Sequence, residues 1–438
     1  MLRWLWLTVA AVLLATSTVA IEREPRDAFE QRRRALAERC DDGLILLFGF
    51  RDEEGQSGRD GFRQENNFYY LTGWNEPGAA LLLTPASGEK EYREILFLPG
   101  RDPAHERWDG PRLDPGDPAA RALTGVAEVA PMDELAEEVS RNLSRFGKAW
   151  ALSAHSQHGE MQPLQPDPAE RLDPLLGTAQ RGDVRPILGA MRRVKSPGEV
   201  ALLEKAVAAT AEAHLAAWRV VRPGLAEYQV YAAMAPVLLE RGCLRPAYPP
   251  ILGSGPNSVI LHYTRNTRIL EDGDLLLADV GGEYGHYAAD ITRTIPVNGR
   301  FSKRQREIYD LVLAAQDAVV AAVKPGMRLT GGGPQSLSRI AEEVFRKKSP
   351  RLAAQFPHAV GHYVGLDVHD PGTLREPLEE GMVITVEPGL YLADEGLGVR
   401  IEDMLVVTAD GARRLGPRMP READEIEAFL LGRERPKP

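Results

Sequence analysis

Four carboxylates, Asp279, Asp290, Glu387 and Glu402, and the histidines spaced around them are where this sequence concentrates its chemistry. Asp279 ends the apolar run Leu275-Leu276-Leu277-Ala278, which reads as a buried strand. Asp290 precedes Ile291-Thr292-Arg293-Thr294-Ile295, a β-branched run that reads as a second strand. Between them lie Gly281, Gly282 and Gly285, which suit a hairpin. A hairpin brings the two acids close. Buried carboxylates at close range repel, and the cost is relieved by a proton or a cation. A metal ion is the compensation expected here.

The design recurs. Leu378–Glu387, LEEGMVITVE, copies Leu270–Asp279, LEDGDLLLAD, and puts Glu387 where Asp279 stood. Glu402, in VRIED, then follows Glu387 as Asp290 follows Asp279, and each copy is preceded by a histidine, His262 or His369. Two halves that each supply two acids and a histidine predict a pseudo-twofold site with four carboxylates at its centre. Pairing with Arg293 and Arg400 would account for single acids at strand ends, but not for four in register across a repeat.

Three histidines, His358, His362 and His369, crowd the segment before Glu387, out of nine in the chain. That density suggests one metal ligand, with the others handling protons or substrate. An oxygen-rich set with one imidazole favours Mn²⁺ or a similar divalent ion, with Zn²⁺ or Co²⁺ as alternatives. Four acids are too many for one ion, whereas two ions can share bridging carboxylates, activate a water between them and polarise a carbonyl. That is hydrolytic chemistry. Spacing does not identify the bond cleaved.

The elements that must position these groups read as follows. Ser196, Pro197 and Glu199 form a capping box that starts a helix, which stops at Val221-Arg222-Pro223-Gly224. A second helix is expected over Leu225–Arg241, and another begins at Ser302 and stops at the near copy Val323-Lys324-Pro325-Gly326. Each half therefore reads helix, helix, loop with histidine, strand hairpin with two acids. Before residue 185, a helix candidate from Pro25 to Arg39 is followed by strands at 44–50, 68–71, 79–83 and 95–98. A long loop is expected over 99–118 and irregular structure over 156–186. Strands alternating with helices predict an α/β domain. Its histidines, His105, His155 and His158, are scattered and read as surface residues.

With 438 residues, the chain is long enough for two or three domains, and 43% apolar content is ordinary for a globular protein. The formal charge of −10 argues against nucleic acid as a partner, because phosphate binding needs a basic face. Two cysteines are too few for a disulfide framework. Residues 1–20 carry one charge, Arg3, an apolar core and small residues at Thr18 and Ala20, the pattern of a secretory leader with Ile21 as the mature start. The expected location is periplasmic or secreted. The rival is an uncleaved anchor, for which the 18 uncharged residues from Trp4 to Ile21 are borderline against the roughly 20 needed.

The segments His262-Tyr263, ADVGGEYGHYAADITRTIPVNG, GHYVGLDVHD, TVEPGLY and VRIED resemble those of the pita-bread metallopeptidases, and within them the aminopeptidase P (Xaa-Pro aminopeptidase) family. NFYYLTGWNEPGAALLL and RDPAHERWDG resemble that family's N-terminal domain, so the likeness spans about residues 25–415. It implies an α/β (α+β) chain, with a creatinase/aminopeptidase P-like α/β domain at 25–180 and a pseudo-twofold pita-bread catalytic domain at 190–415, between the leader expected from composition at 1–20 and a C-terminal tail at 416–438. It implies two metal ions, typically Mn²⁺, held by Asp279, Asp290, His362, Glu387 and Glu402, with Asp290 and Glu402 bridging. Glu387 would also be the general base, His262 and His369 would stabilise the tetrahedral intermediate and shuttle protons, and His358, Tyr391 and Arg400 would shape a proline subsite. The implied reaction removes one N-terminal residue ahead of proline. The implied assembly is a homodimer or homotetramer, with no stable membrane partner. An Xaa-Pro dipeptidase (prolidase) is the nearest alternative, and a non-catalytic peptide-binding member of the fold is the alternative from another class.

Overall fold

The computed structural model describes residues 21–432, apart from 53, 55, 58–60, 88–90 and 153–168. The leader-like segment, His155 and His158 lie outside the described residues. No helix among the described residues is long and apolar enough to cross a membrane.

The first unit comprises helix α1 (Arg26–Arg39), strand β1 (Leu44–Phe48), helix α2 (Asn66–Thr72) and strands β2 (Ala80–Thr84), β3 (Arg93–Leu98), β4 (Glu128–Pro131), β5 (Lys148–Ala151) and β6 (Gln180–Asp183). They form a mixed sheet in the order β4-β3-β2-β1-β5-β6. β1, β2 and β3 pair antiparallel, and the outer strands join parallel. β1 reads as continuously apolar because the sheet is covered on both faces. Leu44 and Leu46 join a cluster with Val139, whereas Ile45 and Leu47 belong to the main core that continues into the second unit. Successive side chains of a strand point to opposite faces, which produces this division.

Three sequence expectations give way here. Residues 68–71 are helical, not a strand: the Glu65 carboxylate accepts from the Phe68 amide at 2.7 Å and Gly73 closes the helix in the left-handed region. Phe68, Tyr69, Tyr70 and Leu71 are all buried, so no helical period shows in the sequence. The expected loop over 99–118 contains a helix at Pro103–Asp109, capped by Asp102. The expected irregular stretch ends in a helix at Ala169–Leu176, β6 and helix α3 (Arg185–Arg193).

The second unit begins with α4 (Pro197–Val220), where both hydrogen bonds of the Ser196–Glu199 capping box form. Then come α5 (Glu227–Glu240), β7 (Ile251–Ser254), β8 (Leu275–Asp279), β9 (Gly282–Tyr284), β10 (Tyr287–Ala288) and β11 (Thr292–Pro296). The second half repeats the order with α6 (Lys303–Ala322), α7 (Leu337–Lys348), β12 (Val383–Val386), β13 (Gly389–Leu392), β14 (Leu397–Arg400) and β15 (Asp403–Val407). In each half the outer strands pair antiparallel, β8 with β11 and β12 with β15, and a smaller hairpin, β9–β10 or β13–β14, grows between them. The expected hairpin is thus two nested ones. The halves meet side by side: the Glu402 amide donates to the Thr292 carbonyl at 3.1 Å, and the Thr294 hydroxyl to the Arg400 carbonyl at 2.9 Å. Within the C-terminal tail, α8 (Ala423–Gly432) packs Phe429 edge-on against Trp218 of α4.

Candidate active site

Asp279 is the last residue of β8, and Asp290 lies two positions before β11 begins. Glu387 follows β12, and Glu402 sits between β14 and β15. All four acids therefore stand where paired strands end, and the side-by-side contact of the halves brings both pairs to one pocket. Two glycines permit the approach. A Cβ at Gly281 would lie 1.8 Å from the Ala289 carbonyl oxygen, and one at Gly361 would lie 2.1 Å from that of Thr385.

The pocket has a volume of about 220 Å³. Nine of the ten predicted site residues line it, and the tenth, Tyr391, stands directly behind. His362 Nε2 lies 3.3 Å from Asp290 Oδ2 and 3.5 Å from Glu387 Oε1. The ligand atoms of Asp290, His362 and Glu402 fall within 4.8 Å of one another, a spacing that suits a metal ion. The loop that carries His362 is tied to the edge of β12. The Thr385 amide donates to the His362 carbonyl at 2.9 Å, and the His362 amide to the Thr385 hydroxyl at 3.0 Å. His362 and His369 meet edge to face, with ring centroids 4.2 Å apart.

Behind the acids, Arg400 donates to Asp279 Oδ2 at 2.6 Å and to the Tyr391 hydroxyl at 2.9 Å, and that hydroxyl lies 2.9 Å from His358 Nε2. The proposed proline-subsite residues are thus linked to one acid. Arg293 turns to Asp403 at 2.6 Å and to the Glu402 carbonyl at 2.6 Å, so among the described residues a single arginine serves the carboxylates of the four site acids. Even with His362 protonated, two of the acids keep no opposing charge.

The titration behaviour registers this deficit. Burial pushes Glu387 up to about 7, only partly offset by His362 and Arg400. Burial, reinforced by Asp290 and Glu387, drives Glu402 well above the usual carboxylate range, and Asp279 is also raised, chiefly by burial against the pull of Arg400. Asp290 is buried too, yet its hydrogen bond to His362 holds it below its ordinary value. Burial works against a charged His362, but Asp290 and Glu387 raise it to about 9. His358 and His369 are lowered to about 4, mainly by burial, so both are neutral at pH 7. Oxygen donors in excess, one imidazole and unbalanced negative charge fit divalent cations.

Three contributors escaped the sequence reading. The Tyr248 hydroxyl lies 2.5 Å from Asp279 Oδ1 and 2.7 Å from Asp290 Oδ1. Its single proton reaches one acid at a time, which leaves the other open to a cation. Thr292 donates to Glu402 at 2.7 Å while its hydroxyl accepts from Arg400 Nε at 3.1 Å. Thr385 lies 3.4 Å from Glu387. Tyr248 sits in the uncharged run AYPPI, where nothing local announces it. Thr292 and Thr385 read simply as β-branched strand residues.

With this geometry in hand, comparison with known proteins is direct. The profile of metallopeptidase family M24 matches residues 201–409, and that of the aminopeptidase P N-terminal domain matches residues 29–150. The Xaa-Pro aminopeptidase of Haemophilus influenzae is 38% identical over 434 residues, covering 93% of this chain and 97% of the relative. That of Escherichia coli is 35% identical over 436 residues, covering 93% and 98%. Among solved structures, E. coli aminopeptidase P with the inhibitor Pro-Leu superposes with a TM-score of 0.81 at 32% identity, covering 94% of this chain and 99% of that one. Proline aminopeptidase P II from Yersinia pestis gives 0.80 at 33% identity, covering 93% and 100%.

Proposed function

The chain belongs to metallopeptidase family M24, and we propose that it is a metal-dependent aminopeptidase that removes the N-terminal residue from peptides with proline at the second position. The observation that carries this reading is the pocket in which Asp290, His362 and Glu402 converge, with Asp279, Glu387, His262 and His369 around them. Full-length similarity to Xaa-Pro aminopeptidases supplies the substrate class. Asp279, Asp290, His362, Glu387 and Glu402 are the groups that would hold two divalent ions, with Mn²⁺ the first choice and Zn²⁺ or Co²⁺ next. When bound, such ions polarise a carbonyl and acidify water near neutral pH.

The chain's own residues have distinct tasks. Glu387, whose Oε1 lies 3.5 Å from His362 Nε2 in the pocket, suits a group that takes a proton from the attacking water and passes it on. His262 and His369 face the same pocket, where an imidazole N–H can donate to oxygen as negative charge develops on the scissile carbonyl. Neutral His358, edge-on to Phe356 with centroids 5.0 Å apart, offers a largely apolar wall for a prolyl ring. Tyr391 holds it there, and Arg400 holds Tyr391. Export rests on the leader-like composition of residues 1–20, and a homodimer or homotetramer rests on the family resemblance.

The test is hydrolysis of Ala-Pro-Ala beside Ala-Pro by the Mn²⁺-loaded protein, with products read by mass spectrometry and a chelated control. Alanine release from the tripeptide, lost on chelation, is the expected result. Cleavage of the dipeptide alone would make the protein a prolidase, and no cleavage of either would overturn the catalytic reading.

A further inference from the structure

His362 and His369 lie in one loop but are held differently. His362 is tied to β12, as described, and Val364 still donates to the Val383 carbonyl at 3.1 Å. The chain then leaves that strand, and His369 is flanked by two acids, Asp367 and Asp370. Both are gripped by residues that precede α4. Arg192, near the end of α3, donates to Asp367 Oδ2 at 2.6 Å and to Asp370 Oδ1 at 2.5 Å. Lys195 donates to Asp370 Oδ2 at 2.9 Å, and both side chains are 1% exposed. From α2 of the N-terminal unit, Asn66 Nδ2 donates to Asp367 Oδ1 at 2.6 Å, while Asn67 Oδ1 accepts from Arg192 at 2.9 Å. Arg63, also in the N-terminal unit, donates to the Leu366 carbonyl at 2.9 Å.

Two buried cations thus face two acids, so each carboxylate has a direction as well as a charge partner. The backbone between these acids carries His369. We propose that the N-terminal domain and α3 set the position of His369 through Asn66–Asp367 and Arg192–Asp370, which makes Asn66 and Arg192 positioning residues for the peptidase reaction. The N-terminal domain then takes part in turnover without touching substrate. The proposal rests on the role assigned above to His369.

Arg192 is deeply buried and its loss can unfold the junction, so Asn66→Ala is the primary variant, made in the full-length protein and in a His369→Ala background. Asn66→Ala alone is expected to lower kcat about tenfold, with KM within about twofold and bound Mn²⁺ unchanged, the scale seen when an orienting partner is lost. In the His369→Ala background it is expected to cost nothing further, because the group it positions is gone. Arg192→Lys, which keeps the charge and one donor nitrogen, should retain more kcat than Arg192→Met. A parental kcat for Asn66→Ala, or equal drops in both backgrounds, would overturn the proposal alone. A parental rate for His369→Ala itself would overturn the role of His369 and the proposal with it.

Discussion

At the scale of single residues, the site is an imbalance of charge held in place by hydroxyls. Tyr248 stands between Asp279 and Asp290, and its one proton aims one carboxylate at a time. Replacing it with phenylalanine removes that aim and little volume. Tyr248→Phe is expected to weaken metal binding or kcat by about 10- to 100-fold with circular dichroism unchanged; titration of the chelated protein with Mn²⁺ measures the first, and parental values of both would show that the hydroxyl is idle. Asp290→Ala and Glu402→Ala remove atoms from the convergent cluster itself, so activity should vanish while the fold persists. The sequence made all of the acids legible, because a repeat marks position as well as type. It did not mark Tyr248, whose significance lies in two oxygens contributed by the end of β8 and the stretch before β11.

Elements position these residues by where they end. The two copies of the repeat are outer hairpins whose tips are occupied by inner hairpins, and the acids stand at the transition from one to the other. The loop with His262 touches β14, where the Gly398 amide donates to the Ser258 hydroxyl at 2.8 Å, and it is gathered by Glu227, the first residue of α5. That carboxylate accepts from the Ser254 amide at 2.8 Å and hydroxyl at 2.7 Å, from Asn257 at 3.1 Å and from the Arg268 amide at 3.0 Å. Glu227→Ala strands these donors at about 1–3 kcal/mol for a buried group. A lower urea midpoint and a kcat/KM reduced by on the order of tenfold should follow from the loosened loop. If the midpoint falls and kcat/KM does not, Glu227 serves stability alone. Helix α2 shows why some elements stay hidden: a helix buried on every side has no polar face, so its sequence looks like a strand.

On the scale of the whole molecule, the buried site links metal, protons and stability. Glu387 has an ordinary value of 4.5 and stands at about 7 in the folded protein, so its stabilising proton is fully held below 4.5 and lost as pH rises through 7. His362 goes from 6.5 to about 9, and its contribution is likewise lost as pH rises through 9. Without metal, both groups make the fold weaker toward alkaline pH. Divalent ions replace the protons and gain affinity as the ligands ionise. The gap in Tm between Mn²⁺-loaded and EDTA-treated protein should therefore widen by several degrees from about pH 5.5 to 8, as followed by calorimetry. A gap that does not change with pH would count against this linkage.

The sequence by itself determined the acids, their pairing across an internal repeat, the capped helices of the catalytic unit and the family resemblance, because each depends on residue type and spacing along the chain. Only the tertiary structure decided that the four acids share one pocket with a single arginine between them. It also decided that Tyr248 spans the first pair, and that Asn66 and Arg192 hold Asp367 and Asp370 on either side of His369. These are meetings between segments as much as 303 residues apart, such as Arg63 and Leu366. Hydrogen bonding and ion pairing fall off within a few ångströms, so their partners are fixed by how the units pack, and no local pattern encodes them.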